Sequence, residues 1–96
     1  MFYVYILGSE TAEEYIGFTK DLRNRLAEHN RGVVFSTKRY IPWQLIYHEA
    51  FLNERDARRR EKYLKTSQGR RMLKRKLKEY LFEKKTNRIS TTGYVG

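Results

Sequence analysis

Tyr5, Tyr15, Arg25, His29 and Glu61 are the side chains of this sequence whose types and spacing could carry chemistry. Together they could hydrolyse a phosphodiester. That reaction needs a group to activate the nucleophile, positive charge on the developing phosphorane oxygens and, commonly, a metal to stabilise the leaving oxygen. Tyrosine or histidine can supply the first, arginine the second, and a carboxylate can hold Mg²⁺ for the third. Each residue also has a plainer reading. Strands are rich in tyrosine. Arg25 could be one exposed helix arginine among many, and His29 a packing or capping residue near a helix end. Glu61 has Arg58 and Lys65 within reach at i−3 and i+4, a surface pairing worth about 0.3–0.5 kcal/mol.

The elements that must hold these residues follow from the residue pattern. Residues 2–7 are aromatic and β-branched and predict a strand, with Phe2, Val4 and Ile6 on one side and Tyr3, Tyr5 and Leu7 on the other. Residues 8–12 read as a hairpin loop, and residues 14–18 return antiparallel. Thr19 or Asp21 opens a helix that runs to about Asn30, with Gly32 at its stop. Arg25 and His29 are i, i+4 on it, so they share a face beside Leu22 and Leu26. A polar, basic loop over 31–42 ends at Pro42. The third strand, 43–51, alternates Trp43, Leu45 and Tyr47 against Gln44, Ile46 and His48.

Asn53 is a good cap for a helix from Glu54 to about Lys65. Ala57 and Leu64 share one of its faces, and Glu61 lies between them. A carboxylate on an inward stripe requires a partner or a metal. Residues 66–69 mark a break. Ser67 then caps a last helix to about Lys85, with Met72, Leu73, Leu77, Tyr80 and Leu81 inward. From Thr86 the small, polar sequence predicts a loose tail. The order β-β-α-β-α-α predicts an α+β domain over residues 1–85, a three-stranded antiparallel sheet flanked by helices, followed by a flexible tail at 86–96.

Composition narrows the function classes. A chain of 96 residues makes one domain with one modest core. It has no cysteine, which excludes disulfides and thiolate metal sites. No apolar run is long enough to span a membrane, and the start lacks the basic leader of a secretory signal. A cytoplasmic protein, nucleoid-associated when on DNA, is the expectation. The net charge of +10 is concentrated. Residues 1–53 carry six basic and six acidic side chains, whereas residues 54–85 carry fourteen basic and five acidic. A one-sided positive field favours a polyanion, since phosphate contacts release condensed counterions.

Val4-Tyr5-Ile6, then Tyr15-Ile16-Gly17, then Arg25 and His29, resembles the GIY-YIG nuclease signature. The two tyrosines lie ten residues apart and Arg25 ten beyond the second, which matches the family's usual spacing. Residues 56–65 resemble the helix bearing the family's metal-binding glutamate. The resemblance covers about residues 2–85 and is closest to the small stand-alone GIY-YIG proteins. The run Tyr15-Ile16-Gly17-Phe18-Thr19 is also similar to that of the structure-specific junction endonuclease. Three departures stand. Tyr3 and Val4 occupy the signature's glycine and isoleucine positions. Phe18 stands where the nucleotide-excision-repair relatives have lysine. The asparagine that follows their glutamate helix has no counterpart.

The resemblance implies hydrolysis of DNA phosphodiesters with one divalent metal, Mg²⁺ or Mn²⁺, held by Glu61. It implies that Arg25 binds the scissile phosphate, that Tyr15 or Tyr5 activates water directly or through a relay, and that His29 assists. No major-groove reading module is present, which favours branched or single-stranded DNA over a sequence, as in DNA repair. A protein partner that supplies targeting is part of that expectation. Arg58, Lys62 and Lys65 on one helix, and Lys74, Arg75 and Lys78 on the next, are the expected phosphate-tracking residues. The rival expectation is a non-catalytic or partner-dependent nucleic-acid-binding module on the same fold.

Overall fold

In the computed structural model the backbone is described for residues 1–93 and side-chain environments for residues 1–85. Strands β1 (Phe2–Ser9) and β2 (Glu14–Thr19) form a hairpin, followed by helix α1 (Leu22–Asn30). A 3₁₀ turn at Lys38–Tyr40 precedes β3 (Trp43–Phe51), and α2 (Glu54–Leu64), α3 (Ser67–Lys76) and α4 (Lys78–Gly93) complete the order. The sheet is antiparallel with order β2-β1-β3, so β1 is central and β2 is an edge. This is the expected α+β architecture. Among the described residues no helix is long and apolar enough to cross a membrane.

Alternation along β1 divides the core into two layers. Phe2, Val4 and Ile6 pack with Ile16, Ala57, Leu64 and Leu73, which lie under α2 and α3. Tyr5 and Leu7 pack with Trp43 of the third strand and with Leu22 and Leu26 of α1. Asp21, not Thr19, caps α1, accepting from the Asn24 N–H at 3.0 Å. Gly32, at φ 80°, takes the left-handed turn that ends this segment.

The strict alternation expected of β3 fails at one place. A bulge sets Ile6 opposite Tyr47 but Leu7 opposite Leu45. Ile46 is the extra residue, so Ile46 and Tyr47 both pack in the α2 and α3 layer while Trp43 and Leu45 stay under α1. The phase change turns Glu49 toward α2. The Tyr47 hydroxyl donates to Glu49 at 2.6 Å, and Arg60 of α2 grips the same carboxylate through two bonds of 2.8 and 2.9 Å. Burial alone would raise Glu49, but the Arg60 and Tyr47 donors outweigh it and hold the carboxyl below its usual value.

Three boundaries of the last helices differ from expectation. Thr66, not Ser67, is the cap of α3; its hydroxyl oxygen accepts from Gly69 N–H at 3.1 Å. Gly69 therefore lies inside α3, where a Cβ would overlap the Tyr63 carbonyl oxygen. This close approach lets α3 fold back on the end of α2. The single helix expected to about Lys85 is two helices, broken at Leu77, whose backbone leaves the helical region at φ −105°, ψ 25°. The backbone is helical through residues 86–93, where the sequence predicts a loose tail; that stretch has no proline, and its one glycine is residue 93. Residues 94–96 of the expected tail lie outside the described residues.

Candidate active site

Tyr5 is the centre of the polar cluster. It is 2% exposed, on the central strand, directly opposite Gly17 of the edge strand. A Cβ on Gly17 would meet the Tyr5 ring and hydroxyl at 2.5 Å. The missing side chain is thus what lets the ring lie across β2 and bring its hydroxyl to the edge of the sheet. Gly17→Ala is expected to push the Tyr5 ring off this seat, lowering the melting temperature by several degrees, about the effect of a 1–3 kcal/mol overpacking strain. Thermal unfolding checks it, and an unchanged midpoint contradicts the close approach.

The Tyr5 hydroxyl lies 2.8 Å from His29 Nε2, and His29 Nδ1 lies 2.7 Å from Thr37 Oγ1. His29 and Thr37 are 0% and 1% exposed. The proton positions follow from the neighbours. Arg25, which can only donate, lies beside the Tyr5 oxygen and opposes its rise in pKa. The Thr37 hydroxyl has the Val34 carbonyl at 3.4 Å as acceptor for its own proton. The Tyr5 O–H therefore donates to Nε2, and Nδ1–H donates to Thr37. Thr37 is itself fixed, since the Trp43 indole N–H donates to its carbonyl at 2.9 Å. Asn30 fixes Trp43 in turn, through bonds of 2.7 and 3.0 Å to its backbone.

Burial pushes Tyr5 up to about 12; Arg25 opposes this, while Tyr15 and Glu61 add to it. Burial also lowers His29, with Arg25 adding and Glu28 opposing, so its imidazole is neutral near pH 7. A tyrosine with so high a pKa does not ionise by itself, but its proton already points at a neutral imidazole nitrogen.

The other expected residues stand around this pair. Tyr15 is half-buried, its ring 5.0 Å from that of His29 and 6.2 Å from that of Tyr5. Arg25 is bound to Glu28 at 2.9 Å, an ion pair that the expected site did not include. One guanidinium nitrogen holds Glu28, and the fork has further donors for an anion. Glu61 comes from the opposite helix layer. One turn before it, Arg58 sits 4.0 Å over the Phe18 ring of β2, which sets α2 along the same sheet edge. The negative charge of Glu61 adds, as the smallest of the influences after burial, to the rise of the Tyr5 pKa.

Glu61 differs from the inward residue expected. Its side chain is 20% exposed and paired with Lys65 at 3.2 Å. It lies on the margin of the Ala57–Leu64 stripe, so the plainer i, i+4 pairing coexists with an approach to the site. Among the described residues no three His, Cys, Asp or Glu side chains cluster to hold a metal ion. A cation that needs a protein cage does not fit here. A cation that keeps most of its waters and takes one carboxylate plus substrate phosphate does, and Mg²⁺ binds in that way.

The expected phosphate-tracking residues are all exposed. Arg58, Lys62 and Lys65 lie along one face of α2, with Arg58 also held by Glu54 at 3.0 Å and Lys65 by Glu61. Lys74 and Arg75 are on α3, but Lys78 starts α4 beyond the break. Sequence reasoning missed Thr37 and Glu28. Glu28 had a signal, its i+3 spacing from Arg25 on a predicted helix. Thr37 had none, because its bond to His29 depends on the path of the 31–42 loop.

Residues 1–78 match the GIY-YIG catalytic domain. The chain is 36% identical to UPF0213 protein CPE1444 of Clostridium perfringens (strain 13 / Type A) over 92 residues, covering 91% of this chain and 99% of that protein. It is 36% identical to UPF0213 protein SSP2268 of Staphylococcus saprophyticus, covering 75% of this chain and 89% of that protein. A UPF0213 protein of Streptococcus pneumoniae serotype 4 is 39% identical over 66% of this chain and 65% of its own length. No solved structure matches it significantly. With the sheet and the matched signature in place, the chain belongs to the GIY-YIG family, a nuclease family whose members generally use divalent metals.

Proposed function

We propose that this protein is an Mg²⁺-dependent DNA endonuclease that acts on branched or single-stranded DNA. The observation that carries the reading is the hydrogen-bonded Tyr5–His29–Thr37 chain, with Arg25 beside its outer oxygen. Arg25 binds the scissile phosphate and stabilises the charge that develops on it. Tyr5 accepts the proton of the attacking water as its own proton passes to His29 Nε2, so no free tyrosinate forms. Thr37 holds Nδ1–H and keeps that nitrogen as the donor end. Tyr15, with its ring 5.0 Å from that of His29, packs beside the pair. Mg²⁺ held by Glu61 would supply charge neutralisation at the leaving oxygen.

A partner-dependent binding module on the same fold has one observation in its favour. Arg25 and Glu61 are each internally paired, with Glu28 and Lys65. Both pairs are partly exposed, and such pairs contribute only about 0–1 kcal/mol. A phosphate and a cation together can displace them. Relative cleavage rates on flap, junction, single-stranded and duplex DNA of matched length test the substrate preference. Flap, junction or single-stranded DNA is expected to be cut faster than duplex; an even rate across the panel overturns the structural preference.

Lys74, Arg75 and Lys78 are proposed to track phosphates. Changing all three to Ala is expected to reduce the slope of log affinity against log salt on duplex DNA, by about 0.9 for each phosphate that the variant no longer neutralises. A slope equal to the parent's places the DNA elsewhere.

A further inference from the structure

The segment between α1 and β3 does more than hold Thr37. Phe35 is 82% exposed, Tyr40 36% and Val33 64%. The segment is nevertheless fixed. Thr37 and Lys38 N–H groups both donate to the Val34 carbonyl at 3.1 Å, and Tyr40 N–H donates to the Thr37 carbonyl at 3.2 Å. The Tyr40 ring meets buried Trp43 edge-on at 6.3 Å. A single exposed ring needs no explanation, but several exposed apolar side chains on one short ordered segment mark a contact surface.

The charges around it say what that is. Lys38 Nζ lies 4.8 Å from the Phe35 ring centre, and Arg39 lies 6.0 Å from that of Tyr40. Phe35, Ser36, Lys38, Arg39 and Tyr40 line one open cleft of about 570 Å³. Between Glu28 and Glu49 the chain has three basic residues and no acidic one. Exposed aromatic faces interleaved with cations are the physical requirement for binding unpaired nucleotides: the rings stack on bases and the cations hold the intervening phosphates. An acidic or purely apolar peptide would use only half of these features. The cleft is also tied to the site. Thr37, two residues from Phe35, is the hydrogen-bond acceptor of His29.

We propose that Phe35 and Tyr40, with Lys38 and Arg39, form a stacking platform that receives an unpaired nucleotide of a single-stranded DNA segment beside the site. The proposal deepens the nuclease reading and rests on it for the identity of the polymer, but it concerns binding. It supplies a physical origin for a preference for branched or single-stranded DNA.

The test is the affinity of the full chain for a labelled oligothymidylate and for a duplex of equal length, in EDTA at fixed salt. For Phe35→Ala, oligothymidylate affinity is expected to fall roughly five- to fiftyfold, with duplex affinity within about twofold of the parent. Phe35→Trp is expected to restore the single-strand affinity. Thermal unfolding of each variant should match the parent, because the ring touches little. The proposal is overturned if Phe35→Ala leaves the ratio of the two affinities unchanged, whether both stay or both fall. It is equally overturned if the parent does not bind the oligothymidylate. EDTA separates the two ideas. A parent that cuts flap DNA with an indifferent Phe35 sinks the platform alone, and one that binds through Phe35 yet cuts nothing in Mg²⁺ sinks the nuclease alone.

Discussion

Glu61→Gln is expected to lower Mg²⁺-dependent cleavage by about 10³-fold or more, the loss that follows from several kcal/mol of charge stabilisation. The two side chains are nearly isosteric, and only the charge that would hold the cation is removed. The fold should survive, because the Lys65 pair is partly exposed and worth a fraction of a kcal/mol. DNA binding in EDTA should be retained within about twofold, because removing a negative charge deletes no phosphate contact. Gel analysis of end-labelled flap DNA, beside binding isotherms, checks both halves. A variant that cleaves as well as the parent refutes the metal assignment, whatever its affinity.

Tyr5→Phe is expected to cost about 10²–10⁴ in cleavage rate, the range for loss of a positioned acid–base group. It also removes the donor to buried His29 Nε2, which should cost about 1–3 kcal/mol of stability. A loss of activity alone would not separate relay from packing, so the pH profile is the decisive readout. Burial, aided by Arg25 and opposed by Glu28, holds the folded His29 below 6.5. Nε2 therefore stays free to accept a proton below that pH, and the parent's rate should show no break at 6.5. Stability should behave differently. Between the depressed folded value and 6.5 the unfolded chain carries the extra proton, so stability falls as pH drops through that interval and is fully present above it. A rate profile that breaks at 6.5, or a Tyr5→Phe enzyme with the parent's rate, contradicts the relay.

Much of this was legible in the residues. The alternation of Phe2–Leu7 gave both core layers, because β1 is central and buried on both faces. The ten-residue spacings of Tyr5, Tyr15 and Arg25 were legible through their resemblance to the GIY-YIG signature, not from the residue types alone. The physical reason for Gly17, room for the Tyr5 ring, was not legible, because it depends on the cross-strand pairing of β1 with β2. The bulge at Ile46 was not legible, since one extra apolar residue in an apolar strand leaves no trace in composition. The break at Leu77 was hidden because leucine favours helix and no glycine or proline marks the spot. Thr37 and the Phe35 platform depend on tertiary loop geometry, which local pattern does not encode. The i, i+4 pairing of Glu61 with Lys65 was legible as the plainer reading, but its partial exposure was decided by how α2 lies along the β2 edge.

The Tyr5–His29 pair, Arg25 and Glu61 are proposed to form one metal-dependent phosphodiesterase. The most direct measurement is strand scission of end-labelled flap and junction DNA by the purified parent chain, in Mg²⁺ and in EDTA. Cleavage in Mg²⁺ that disappears in EDTA is the predicted result. Intact DNA in Mg²⁺, under conditions where the same preparation is shown to bind it, would contradict the account.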